Sequence, residues 1–157
     1  MTIRLASRSD ASLILTLIRE LAAYERLAHE VVATEDALAK TLFGPQPQAY
    51  VLIAETDGEP AGFALFFHNY STFLGRPGIY LEDLFVLPDF RSQGIGGALL
   101  AALARLAVER GCGRLEWSVL GWNEPAIGFY QRMGATVMDE WRICRLTGEA
   151  LVKVAGS

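Results

Sequence analysis

Only two cysteines, Cys112 and Cys144, occur in the 157 residues, and they are too far apart to suggest a disulfide framework. The two histidines, His29 and His68, have no metal-ligand spacing with them, so no metal centre is expected. There is no cluster of lysine and arginine. With 14 basic against 18 acidic residues and a net charge of -4, the chain lacks the basic stripe that binding to a phosphate backbone requires, which argues against nucleic acid as a partner. No apolar run reaches membrane-spanning length, and the start, Met-Thr-Ile-Arg-Leu, turns polar at once. The expectation is therefore a protein without signal peptide or membrane partner, in a reduced cytoplasmic setting. Repeats and low-complexity tracts are also missing.

What is present is ample apolar material, 52% of residues, enough for one packed domain spanning 1–157 with no linker. An acidic surface suits cationic substrates, although solubility alone would also account for it. Ile3 to Ala6 reads as a first strand. Ser9 or Asp10 can cap a helix whose Leu13, Leu17 and Leu21 recur at helical spacing and which runs to about Leu27. Thr34 caps a second helix with Glu35 and Asp36 in its first turn, stopped by Gly44-Pro45. Tyr50 to Glu55 and Pro60 to His68 form a hairpin about Asp57-Gly58. A loop with Gly75, Pro77 and Gly78 then leads to a strand, Tyr80 to Leu87, and to a long helix, Ala98 to Arg110. Arg114 to Val119 alternates as a strand, and Asn123 caps a helix that contains Pro125 and ends at Gly134. Trp141 to Leu146 reads as extended, and Glu149 to Val154 is open between strand and helix. The order βααβββαβαβ describes an α+β sandwich, a mostly antiparallel mixed sheet covered on both faces.

One junction carries most of the chemistry. Arg91-Ser92-Gln93-Gly94-Ile95-Gly96 joins a hydrophobic strand to a helix, where unpaired N–H groups and the helix dipole favour an anion and glycines allow close approach. A P-loop would need Gly-Lys-Ser/Thr, which is absent. The dinucleotide fingerprint needs Gly or Ala three residues after Gly96, where Leu99 stands, and a carboxylate-ended second strand about twenty residues on. Arg-x-x-Gly-x-Gly before a helix is instead the acyl-coenzyme A pattern, in which the diphosphate sits on the turn.

At this motif the chain resembles the GNAT superfamily of N-acetyltransferases. Tyr80-Leu81-Glu82-Asp83-Leu84-Phe85-Val86, Trp122-Asn123-Glu124-Pro125 and Phe129-Tyr130 narrow the resemblance to the diamine (spermidine/spermine) acetyltransferase family and its bacterial relatives. The similarity extends over nearly the whole chain, with Tyr24-Glu25 early and Trp141-Arg142 late. It implies the acyl-CoA N-acyltransferase fold, an α/β three-layer sandwich, with acetyl-CoA as cosubstrate, no metal, and a homodimer. It places the cosubstrate against Leu84, Phe85, Val86, Arg91, Ser92, Gln93, Gly94, Ile95, Gly96 and Gly97, and against Asn123, Glu124, Pro125 and Ala126. The amine falls to Tyr24, Glu25, Glu82, Asp83, Glu116, Trp117 and Ser118.

An alkyl ammonium with a pKa near 10.4 is almost wholly protonated at neutral pH, so a base or a desolvated site must remove a proton before attack. Glu82 is the candidate base, directly or through water. Asp83 points to the opposite face if the strand is regular. Backbone N–H groups around Phe85 and Val86 can hold the oxyanion. Tyr130 matches the family's acid for the leaving sulfur, though a half-buried aromatic anchoring its helix would look the same. Asn123 doubles as helix cap and, in the resemblance, as a contact of the pantetheine arm. Tyr24 and Glu25 would also pass as a surface pair, and Trp117 as core. Two departures bear on the substrate. Asn69 to Gly78 contains no carboxylate and holds Arg76, where a polyamine site should gather negative charge, and Met133 replaces a basic residue found near the cofactor phosphates in mammalian-type members. The expected activity is acetyl transfer to a primary amine of a small molecule, a diamine or a lysine-like amino acid, by direct attack in a ternary complex. Acetylation of a protein N-terminus or lysine, and a catalytically silent acyl-CoA sensor, remain as alternatives.

Overall fold

The computed structural model describes all residues, Met1–Ser157. It divides into two compact units, Met1–Ser118 and Val119–Ser157. The first holds a five-stranded sheet in sequential order: β1 (Thr2–Leu5), β2 (Tyr50–Thr56), β3 (Glu59–Ser71), β4 (Arg76–Val86) and β5 (Leu115–Trp117). Neighbours from β1 to β4 are antiparallel, and β4 with β5 is parallel. Three helices complete the unit: α1 (Ala11–Tyr24), α2 (Glu35–Phe43) and α3 (Ile95–Glu109).

Alternation along the strands explains how both faces are covered. Val51, Ile53, Phe63 and Phe85 pack with Ile14, Leu17 and Leu21 of α1 and Leu42 of α2 in one buried cluster. Their strand neighbours Leu52, Ala54, Ala64 and Phe66 are buried on the opposite side, as are Leu99, Leu100 and Leu103 of α3, which packs on β2, β3 and β4. The helix starts follow local chemistry. The Thr34 hydroxyl accepts from the Ala37 N–H at 3.1 Å, with Glu35 and Asp36 in the first turn. Asp10 stands at the N-cap of α1 but makes no cap bond there; its carboxylate accepts instead from the Ser7 N–H and from Arg4, and Arg4 Nε reaches Glu55 on β2. That network ties the edge strand β1 to its neighbour and to the start of α1.

The sequence reading holds for the order of elements through α4, with four corrections. First, α1 ends at Tyr24 rather than near Leu27, because Arg26 takes a left-handed conformation (φ 62°) and the Leu27 N–H closes the end on the Ala22 carbonyl at 2.8 Å. Second, most of the segment 69–78 is not loop. β3 and β4 pair through Asn69↔Gly78, Tyr70↔Pro77 and Ser71↔Arg76, and only Thr72 to Gly75 turn. Pro77 has no N–H to donate, yet its carbonyl accepts from Gly113 at 3.0 Å, so the strand loses little by carrying it. Third, β5 is three residues long. Fourth, in the second unit Trp141 to Leu146 forms no strand, and the open segment is a helix, α5 (Gly148–Ala155).

The second unit also contains α4 (Glu124–Arg132), capped by the Asn123 side chain, which accepts from the Ala126 N–H at 3.4 Å. Asn123 is buried, and Gly134 (φ 97°) follows the helix. Phe63→Ala, at the centre of the sheet, should destabilise the protein by about 3–5 kcal/mol. Thr34→Ala, which removes only one cap, should cost about 1 kcal/mol. Urea unfolding of the two variants against the wild type checks both.

Candidate active site

The site begins with an irregularity in β4. Asp83 pairs with Leu65, and Leu81 pairs with the next residue of β3, Phe66. Glu82 is therefore the extra residue of a bulge, opposite nothing. A bulge shifts the phase of everything beyond it. Ile79 sends its N–H toward β5, to the Arg114 carbonyl at 3.0 Å, whereas Leu87, an even number of residues on, sends its N–H to Ala61 on β3 at 2.8 Å. The condition under which Glu82 and Asp83 would oppose each other, a regular strand, is not met.

The parallel pairing with β5 covers Ile79, Tyr80 and Leu81 and goes no further. Residues 82–86 of β4 thus have no strand neighbour on that edge. With Leu87 turned toward β3, strand alternation turns Phe85 the same way and turns Leu84 and Val86 outward. The backbone donors that this edge offers are the N–H groups of Leu84 and Val86. The expectation that Phe85 would supply one is corrected: its N–H faces β3, and its ring is buried, 6.1 Å from the ring of Tyr24.

Two carboxylates act electrostatically on a third beside this edge. Asp83 is partly buried, and burial first, then the negative charges of Glu82 and Glu25, push its pKa up to about 7. Burial raises Glu25 as well. Glu25 is the residue after α1, positioned by the turn at Arg26, and Tyr24 precedes it at the helix end. Glu25 and Glu82 thus both act on Asp83, and Tyr24 adjoins Glu25 in the chain.

The loop after β4 forms an anion cradle. Pro88–Phe90 make one short 3-10 turn, Arg91 is extended, and Ser92 (φ 64°) and Gly94 (φ 79°) are both left-handed. Such alternation turns successive N–H groups inward. Gly94 caps α3, and the Ala98 N–H is the first donor to bond within it, to the Gly94 carbonyl at 3.0 Å. The N–H groups of Ile95, Gly96 and Gly97 precede that bond and are the unpaired donors of a helix start. Ile95 itself is buried core. Arg91 donates from Nε to the Val86 carbonyl at 3.0 Å, and its guanidinium lies 4.9 Å from the Tyr24 ring centre and 5.3 Å from that of Phe85. This contact joins segments distant in the chain and leaves no mark in the motif Arg91-x-x-Gly94-x-Gly96.

Elsewhere in the first unit, Glu116 accepts from Asn69 Nδ2 at 3.4 Å, and Ser118 shares a 2.7 Å hydrogen bond with the Tyr80 hydroxyl. Trp117, paired with Leu81, is partly buried. Tyr80, Asn69 and Phe67, whose ring lies 5.3 Å from that of Tyr80, were not among the site residues expected from sequence. In the second unit, Tyr130 lies half-buried on α4, with Asn123, Glu124, Pro125 and Ala126 at its start.

Donors on an open strand edge, an arginine, and a helix start beyond a left-handed glycine are groups that suit a pantetheine diphosphate, and they follow in that order along β4, the loop and α3. Residues 15–135 match the model of the acetyltransferase (GNAT) family. The chain belongs to that family. It is 40% identical to the L-ornithine N5-acetyltransferase of Arabidopsis thaliana, covering 95% of this chain and 85% of the relative. It is 41% identical to the thialysine N-epsilon-acetyltransferase of Bos taurus, covering 98% and 96%. An integron cassette protein of V. cholerae has the same fold with a TM-score of 0.83, at 28% identity, over 99% of this chain and 98% of that one. The protein is thus an acetyltransferase of a family that uses acetyl-CoA. No cluster of His, Cys, Asp and Glu in the structure could hold a metal ion, and no helix is long and apolar enough to cross a membrane.

Asp83 also sets a pH dependence of stability. With its folded pKa near 7 and an ordinary unfolded value near 4, the folded state holds a proton that the unfolded state releases, so stability falls as pH rises between the two values. Asp83→Asn should remove this slope, leaving the variant about 1–3 kcal/mol more stable than wild type above pH 7 and little changed below pH 4. Urea unfolding at pH 4, 6 and 8 measures it.

Proposed function

We propose that the protein transfers the acetyl group of acetyl-CoA to a side-chain primary amine of a small diamino compound, an ornithine- or thialysine-like amino acid or a diamine. The observation that carries this reading is the group of three carboxylates, Glu25, Glu82 and Asp83, beside the open edge of β4. A substrate with two ammonium groups gives each carboxylate a task. Bound acetyl-CoA would supply the activated acyl group. The N–H groups of residues 95–97, with Arg91, would hold its diphosphate, and those of Leu84 and Val86 would hold its arm and acyl oxygen.

The chain's own chemistry is proton removal. Asp83, poised near 7, is a much stronger base than an ordinary carboxylate at neutral pH, and burial first, then the charges of Glu82 and Glu25, keep it so. Asp83, with the negative charge of Glu82 acting on it, takes the ammonium proton before attack in a ternary complex, while Glu25 holds the second cation. Tyr130 is kept as the acid for the departing sulfur on the strength of the family pattern. The absence of acidic residues from Thr72 to Gly75 favours an amino acid or short diamine over a long polyamine. A homodimer is supported by the exposed apolar side chains of the second unit, Trp141 and Ile143 each at 75%. The net charge of -4 and the free thiols of Cys112 and Cys144 support a cytoplasmic enzyme with no nucleic-acid partner.

Thiol release from acetyl-CoA should be seen with ornithine, thialysine and short diamines, more weakly with spermine, and not with peptides. Activity on peptides alone would support a protein acetyltransferase, and none on any amine would remove the reading. kcat/KM should rise with pH through about 7, and Glu82→Gln should move that limb to lower pH by removing a neighbouring charge. Tyr130→Phe should lower kcat at least about tenfold with little change in coenzyme A affinity.

A further inference from the structure

We propose that Arg91 is a positioning residue that couples cosubstrate binding to the amine pocket, through Nε on the Val86 carbonyl and the guanidinium face on Tyr24. The inference rests on the acetyl-transfer reading above. Arg91 stands between two sets of residues with different tasks. Its backbone leads into the anion cradle, next to left-handed Ser92. Its side chain runs back to β4, donating to Val86 at 3.0 Å, and its planar group lies 4.9 Å over Tyr24 and 5.3 Å over Phe85. Tyr24 and Phe85 are in turn 6.1 Å apart and tilted by 52°. Tyr24 adjoins Glu25, which acts electrostatically on Asp83. One residue thus touches the open edge and two aromatic rings with its side chain and leads into the cradle with its backbone.

The chemistry of arginine makes this a coupling rather than a coincidence of neighbours. Guanidinium has five N–H donors in one plane; with Nε directed at Val86, the donors on Nη1 and Nη2 suit a phosphate that binds two of them at once. Such binding fixes the plane, and fixing the plane fixes the face on which Tyr24 rests. Ordering supplied by the diphosphate is then ordering that the amine no longer has to supply, so each ligand tightens the other by the same factor. Lysine at this position would keep the charge but has neither Nε–H nor a planar face.

The test is calorimetric titration of thialysine into the protein with and without saturating coenzyme A, for wild type, Arg91→Lys, Tyr24→Leu and the double variant. Thiol release is measured alongside. In wild type coenzyme A should tighten the amine by about fivefold or more. Either single variant should reduce that factor to less than about twofold, and the double variant should lose no more than the singles, the mark of two residues acting together. Arg91→Lys that binds coenzyme A more weakly but retains the full factor would show Arg91 to be a plain phosphate ligand and overturn the inference, with acetyl transfer intact. A wild type that acetylates no amine would overturn this inference and the activity reading together.

Discussion

The account depends on one extra residue in one strand. Glu82 interrupts the pairing of β4 with β3 just where β5 ceases to pair with β4 on the other side. A strand in mid-sheet would ordinarily satisfy its N–H and C=O groups on both edges. Here residues 82–86 satisfy only one edge from the sheet, and the change of phase decides which backbone groups face each way. Asp83, the next residue, is partly buried and feels the charges of Glu82 and of Glu25.

Electrostatics and backbone geometry thereby work on the same few ångströms of chain. A buried carboxylate near two others resists ionisation, and this costs stability at neutral pH; in the proposed reaction a cationic substrate would supply the missing countercharge and recover it. Stability given up at a site is what binding energy can later return. Backbone strain is placed in the same region: Arg26 and Ser92 are both left-handed without being glycine, one at the turn that positions Glu25 and the other in the cradle. Asp57, at the turn between β2 and β3, is the third such residue, and β2 and β3 shift register at Ala54 and Glu55. The two buried layers of the first unit hold these irregular pieces in place.

The regular parts were legible in the sequence, and the irregular ones less so. Apolar alternation marks β2 and β3, Thr34 and Gly44 mark the ends of α2, and Arg91, Gly94 and Gly96 mark the cradle, because each depends on neighbours in sequence. The bulge left no such mark. Ile79 to Val86 contains no glycine or proline and reads as one unbroken strand, so the phase shift at Glu82 arises from pairing with β3, which is information held elsewhere in the chain. The contact between Arg91 and Tyr24 is hidden for the same reason. Glycine and proline at 75, 77 and 78 suggested a longer loop than exists; the hairpin pairs through Pro77 and Gly78, since Pro77 needs no donor there and glycine at 78 leaves room for the Asn69 side chain. Trp141 to Leu146 had an apolar pattern suitable for a strand but no partner strand to pair with in the second unit.

The most direct measurement is amide hydrogen exchange along β4, residue by residue, with and without coenzyme A. If the open edge receives the cosubstrate, Leu84 and Val86 exchange quickly alone and become protected when coenzyme A is added, while Phe85, already bonded to β3, is slow throughout. Equal protection of all three residues without coenzyme A, or no change at Leu84 and Val86 when it binds, would contradict the account.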